Sequence, residues 1–149
     1  MVAFFKSLLL AYLLRELGYG VVLFEFKSEN HMAVGIKSPS QYSYRNSGYA
    51  FIEPTAPTII TDSQGDYVGA GKLTSTPQIF QISDGNSMTS ISEEYDDART
   101  FHQVYNQITQ IHNTYGNVLD QYQYSRWLSL DNQWRSLVNK YGIQVKTSS

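Results

Sequence analysis

The sequence predicts an α+β domain in which one central helix packs on an antiparallel sheet and two further helices follow toward the C-terminus. Three observations carry this prediction. Residues 4–17 are apolar around most of a helical circumference, three β-branched and aromatic runs follow closely, and from Tyr95 onward apolar residues recur at spacings of three and four. With 149 residues the chain is long enough to bury one such core.

Taken in order, Phe4, Phe5, Leu8, Leu9, Ala11, Tyr12, Leu13 and Leu17 define a helix that belongs inside the fold, and Gly18 is suited to end it. The run VVLFEF at 21–26 reads as a largely buried strand, stopped by the polar KSEN. HMAVGI at 31–36 is the next strand, and Pro39 with its Ser and Tyr neighbours marks a surface connection. GYAFIE at 48–53 is the third, halted by Pro54, and its nearness to the second predicts antiparallel pairing. Residues 56–76 hold prolines, glycines and little periodicity, which predicts a loop, with a short last strand at 78–82. Ser90 and Glu93 have the spacing of a capping box before a helix through Ala98, Phe101, Tyr105, Ile108, Ile111 and Tyr115. Gly116 and Asn117 interrupt it, and a second helical stretch runs from Val118 to Tyr141. The composition shift near 83–92 divides a core, 1–85, from a helical extension, 86–149, predicted to pack back on that core.

Composition narrows the function classes. A net charge of −2 with interspersed signs gives no nucleic-acid footprint and no polybasic membrane patch, which leaves small molecules, peptides or proteins as partners. Cysteine is absent, which removes disulfides, thiolate metal sites and a thiol nucleophile from this chain. Lys6 followed by the leucine run imitates a signal peptide, but Arg15 and Glu16 interrupt it, no small-residue cleavage site follows, and no transmembrane span is predicted. The default compartment is the cytoplasm. The stretch GAGK at 69–72 lacks the spacing of a phosphate loop, and its Lys is followed by Leu73. His102 and His112 fall on different helical faces and read as surface residues. No metal or cofactor motif is present.

One constellation stands out. His31 opens the second apolar strand and Glu53 ends the third, which is where a base and the carboxylate that orients it would sit on neighbouring strands. KSLLLAYLLRELGY, then HMAVGI, then YAFIEPT resembles the transglutaminase-like superfamily of papain-type folds, in its microbial cysteine peptidase-like branch. Members carry a Gly-Asp-Cys segment at the start of the central helix, a histidine opening the next-but-one strand and an acidic residue just before Pro-Thr. The resemblance covers about residues 3–69 and places the histidine at His31 and the acid at Glu53, with glutamate where many members have aspartate. Lys6 and Ser7 match a pair in the helix motif, so the family's cysteine position falls on Ala3, and Phe4 and Phe5 replace polar residues.

The resemblance therefore implies an N-terminally truncated relative that keeps the His and acid of a triad without its nucleophile. Three functions stand beside each other. The first is a non-catalytic domain that binds a peptide or protein. The second is a cysteine peptidase or acyltransferase acting on amides, whose nucleophile lies outside this sequence. The third is a structural or assembly module working through the C-terminal helices, by which a homo-oligomer would form.

Overall fold

The computed structural model describes residues 2–64 and 72–144, with side chains from Phe4 onward. Along the chain lie α1 (Val2–Glu16), β1 (Val21–Phe26), β2 (His31–Lys37), β3 (Tyr49–Ile52), β4 (Gln78–Ser83), α2 (Ser92–Tyr115) and α3 (Gln121–Tyr141). The strands form one sheet in the order β3-β2-β1-β4, with every neighbouring pair antiparallel. This is the α+β class that the sequence predicts. The stretch 69–72, Lys72 apart, and the last five residues lie outside the described residues.

The end of α1 sets the direction of β1. Gly18 has φ 93°, a left-handed conformation that costs a residue without Cβ little, and it lets two amides turn back onto the helix. Gly18 N donates to Arg15 O at 2.9 Å and Tyr19 N to Leu14 O at 3.2 Å, while Tyr19 and Leu14 pack in the same apolar cluster. The chain leaves the helix reversed, and β1 runs back beneath α1.

Alternation along the strands sorts the core into two layers. Cα pairing of Leu23 with Val34, and of Val34 with Ile52, places these side chains on one face, where Leu8, Ala11 and Leu14 of α1 cover them. The other face presents Val22, Phe24, Phe26, Ala33 and Phe51, closed by Tyr44 and Leu73. Segment 73–75 is held across this face by charge-assisted bonds. The Arg45 guanidinium donates to Ser75 O at 2.9 Å and lies over the Tyr44 ring, and the Glu29 carboxylate accepts from Ser75 N at 2.8 Å, Thr74 N at 3.1 Å and the Ser75 hydroxyl. The bonds from Ser75 hold the Glu29 carboxyl below its usual range.

The C-terminal helices pair with each other, and they bury Ile59 of the 53–64 loop among Ala98, Phe101, Leu137 and Ile143. Their starts differ from the predicted ones. The capping box does not form: Ile91 occupies the N-cap of α2 without a side-chain bond, and Glu93 and Glu94 in the first turn complement the helix dipole instead. The second helical stretch begins not at Val118, which is fully exposed, but after Asp120, whose carboxylate accepts from Gln123 N at 2.8 Å. At the far end of the hairpin Lys140 bonds Glu93 at 2.6 Å and Asp97 at 2.7 Å, and the Tyr141 hydroxyl also donates to Asp97.

Two outcomes follow from this packing. A Cβ at Gly35 would lie 2.6 Å from Val22 Cγ2 and 2.7 Å from Phe24 Cε2, so Gly35→Ala must displace the central aromatic layer. Urea unfolding of Gly35→Ala is expected to show a loss of about 1–3 kcal/mol. Burial pushes the Asp97 carboxyl up, but the bonds from Lys140 and Tyr141 outweigh it and the net shift is downward. A lowered carboxyl contributes its stability above the unfolded-state value and loses it as pH falls through the folded value. The difference in urea midpoint between the wild type and Asp97→Asn is therefore expected to be full near pH 6 and to shrink steadily below pH ~4.

Candidate active site

His31 is the first residue of β2, and Glu53 follows directly on the last residue of β3. Both share the parity of Ala33 and Phe51, so they lie on one face of the sheet, at its end, one diagonal step apart. The longer glutamate spans that step. His31 Nε2 lies 2.7 Å from Glu53 Oε2, with side-chain exposures of 8% and 3%. Each member of a buried pair at this distance depends on the other for its hydrogen bond, because neither can recover its lost hydration elsewhere. With Nε2 committed to Glu53, the Nδ1 nitrogen is the one left to face a reacting or bound group.

Glu53 is itself held in place. Its second oxygen accepts from the Thr55 hydroxyl at 2.8 Å and from Thr55 N at 3.4 Å, so Pro54 ends the strand and Thr55 folds back to fix the carboxylate. Thr55 then ties this corner to α1, since its carbonyl accepts from Lys6 Nζ at 3.1 Å. One residue along α1, the fully buried Ser7 hydroxyl donates to Met32 O at 3.2 Å, beside His31. Neighbouring side chains of α1 thus reach the residue after His31 and the segment after Glu53. Ala3 stands one turn before Ser7 in α1. Where α1 begins, Phe4 joins Glu25, Phe26, Lys27, Asn30, His31 and Met32 around an open cavity of about 320 Å³.

Of the three positions singled out in the sequence, His31 and Glu53 are brought into contact, and Ala3 lies in the first turn of α1, whose Phe4 lines the cavity beside His31. Lys6, Ser7 and Thr55 entered the sequence reading only as parts of the motifs, and their role in holding this corner together was not read. The signal for Thr55 was present, because a hydroxyl two residues after a carboxylate readily closes onto it.

The surface reading of His102 is wrong. Its Nε2 lies 2.8 and 2.9 Å from the two oxygens of Asp62, whose side chain is 1% exposed, so His102 anchors α2 to the 53–64 loop. Helical phase alone hid this, since the partner sits 40 residues away in a loop without periodicity. His112 is exposed, as read from the sequence, with its ring edge against Trp127. Among the described residues no group of three or more His, Asp or Glu is placed to hold a metal ion, and no helix is long and apolar enough to cross a membrane.

No family model matches the chain, and neither a curated protein nor a solved structure does.

If Thr55 fixes Glu53, removing its hydroxyl leaves one carboxylate oxygen short of a bond. Thr55→Val, which keeps the shape, is expected to lower the urea-derived stability by about 1 kcal/mol, with Thr55→Ser close to the wild type.

Proposed function

We propose that this chain is a transglutaminase-like domain of papain-type ancestry that keeps the His and Glu of a Cys-His-acid triad and binds a peptide or protein without turning it over. The observation that carries the reading is the buried 2.7 Å contact between His31 and Glu53, at the end of the sheet where α1 begins. In a thiol enzyme of this plan the helix N-terminus favours the thiolate, the imidazole takes its proton, and the carboxylate holds the ring in the useful orientation. Here the position that would bear the thiol is Ala3, which cannot attack a carbonyl. What remains is an imidazole facing an open cavity whose wall mixes apolar Phe4, Phe26 and Met32 with polar Glu25, Lys27 and Asn30, suited to a peptide that offers both apolar and polar contacts.

Because the chain has no cysteine, a single introduced thiol reports on this reading without background. Ala3→Cys is expected to react with iodoacetamide at pH 6 about tenfold faster than a thiol introduced at exposed Ser125, as a depressed thiol pKa raises the thiolate fraction faster than it lowers nucleophilicity. Adding His31→Gln, which retains a donor for Glu53 but cannot take the proton, should remove the excess. Equal alkylation rates at the two positions, or an excess untouched by His31→Gln, would sink the proposed triad ancestry. The unmodified chain is expected to release no product from amide or ester substrates above the buffer rate, with or without a thiol-alkylating reagent.

A further inference from the structure

One side of α1 covers the sheet, with Ser7 and Ala11 fully buried, but its opposite side carries a second apolar surface. Phe5, Leu9, Leu13 and Leu17 are exposed by 65, 62, 54 and 71%, and they form a row with a four-residue step, the ridge by which helices pack on one another. Phe4 and Tyr12 flank the row, and Phe80 of the edge strand β4, paired with Leu23, adds to it from the same face of the sheet. The six α1 side chains expose on the order of 600 Å², at or above the largest patch of a typical monomer and close to the ~800 Å² that each partner contributes to a standard interface.

We infer that this face is covered by a second copy of the same chain, in a two-fold pair with the α1 helices antiparallel and the axis level with Ala11. The sequence of α1 is self-complementary in that register. Leu9 meets Leu13, Phe5 meets Leu17, and Lys6 of each copy meets Glu16 of the other. Opposed helix dipoles add to the fit. Lys6 also donates to Thr55 O at 3.1 Å, and Glu16 also lies 3.5 Å from Arg15, but both are solvent-exposed contacts that leave the charges available. A parallel pair would place Lys6 against Lys6 and align the dipoles. An antiparallel pair shifted by a turn one way would leave Leu17 and Glu16 without partners, and shifted the other way would leave Phe5 and Lys6 without them. An isologous contact uses the same patch on both copies and closes at two. In this arrangement Leu17 of the second copy sits at Phe5, next to Phe4 at the cavity beside His31, so the pair completes one rim of the candidate site. The inference stands whether or not the triad ancestry holds, since it rests on the outer face of α1.

Sedimentation equilibrium of the whole chain over micromolar concentrations tests it. The expected result is a monomer–dimer equilibrium in which Lys6→Glu and Glu16→Lys each raise Kd about tenfold, because each reversal turns two symmetric attractions into repulsions. The double variant Lys6→Glu/Glu16→Lys should return to within about threefold of the wild type, since it restores both pairs. A mixture of Leu9→Cys and Leu13→Cys chains should oxidise to the mixed disulfide in preference to either symmetric one. A monomer at every concentration overturns the inference. So does a dimer whose Kd ignores both single reversals, or one that crosslinks position 9 to position 9. A monomeric chain that pellets with phosphatidylcholine vesicles would assign the face to a lipid surface, and that also overturns it.

Discussion

Strand β1 is paired on both edges and covered on both faces, and the rest of the molecule is arranged to keep it so. Five of its six residues are buried, Glu25 alone reaching partial exposure. Burying five large apolar side chains is worth on the order of 10 kcal/mol before the cost of ordering the chain, which is comparable to the net stability of a whole domain. Each neighbouring element meets one side of this demand. Strand β2 supplies one ladder, β4 the other, α1 the first apolar layer, and Tyr44 with Leu73 the second. The bonds of Arg45 and Glu29 to segment 73–75 matter for the same reason, because they hold a loop over the sheet face opposite α1.

The site is a by-product of this arrangement at the sheet's end. Register pins His31, because slipping β2 by one residue would turn its whole apolar set outward. Pro54 pins Glu53 by ending β3 just beyond Ile52, and Thr55 holds the carboxylate where the strand lets go of it. Helix α1 arrives at the same corner because Gly18 reverses the chain so that β1 runs back beneath it. The pair is therefore rigid in the way a catalytic or binding group must be, through neighbours that are fixed for reasons of folding.

The α1 helix shows how one pattern can serve two layers. Its hydrophobicity runs nearly all round, which in the sequence reads as a helix buried on every side. In the folded chain it is buried on one side only, with Leu9 and Leu17 left in water. A single sheet cannot wrap a helix, so the second stripe stays on the outer side of α1.

The sequence by itself determined the elements whose signal is local. Continuous β-branched and aromatic runs marked β1 and β2 nearly to the residue, Gly18 was legible as the end of α1, and the His31 and Glu53 spacing on neighbouring strands was enough to expect their contact, because strand geometry converts spacing into distance. The start of α2 was misread, since Ser90 and Glu93 have the capping-box spacing while burial of Ile91 beside Ile36 and Ala50 decides where the helix begins. Only the tertiary structure decided that His102 binds Asp62, that Arg45 and Glu29 secure the 73–75 segment, and which side of α1 stays exposed. Those contacts join residues far apart in the chain through loops with no periodicity, and no local pattern records a partner that only the path of the chain brings near.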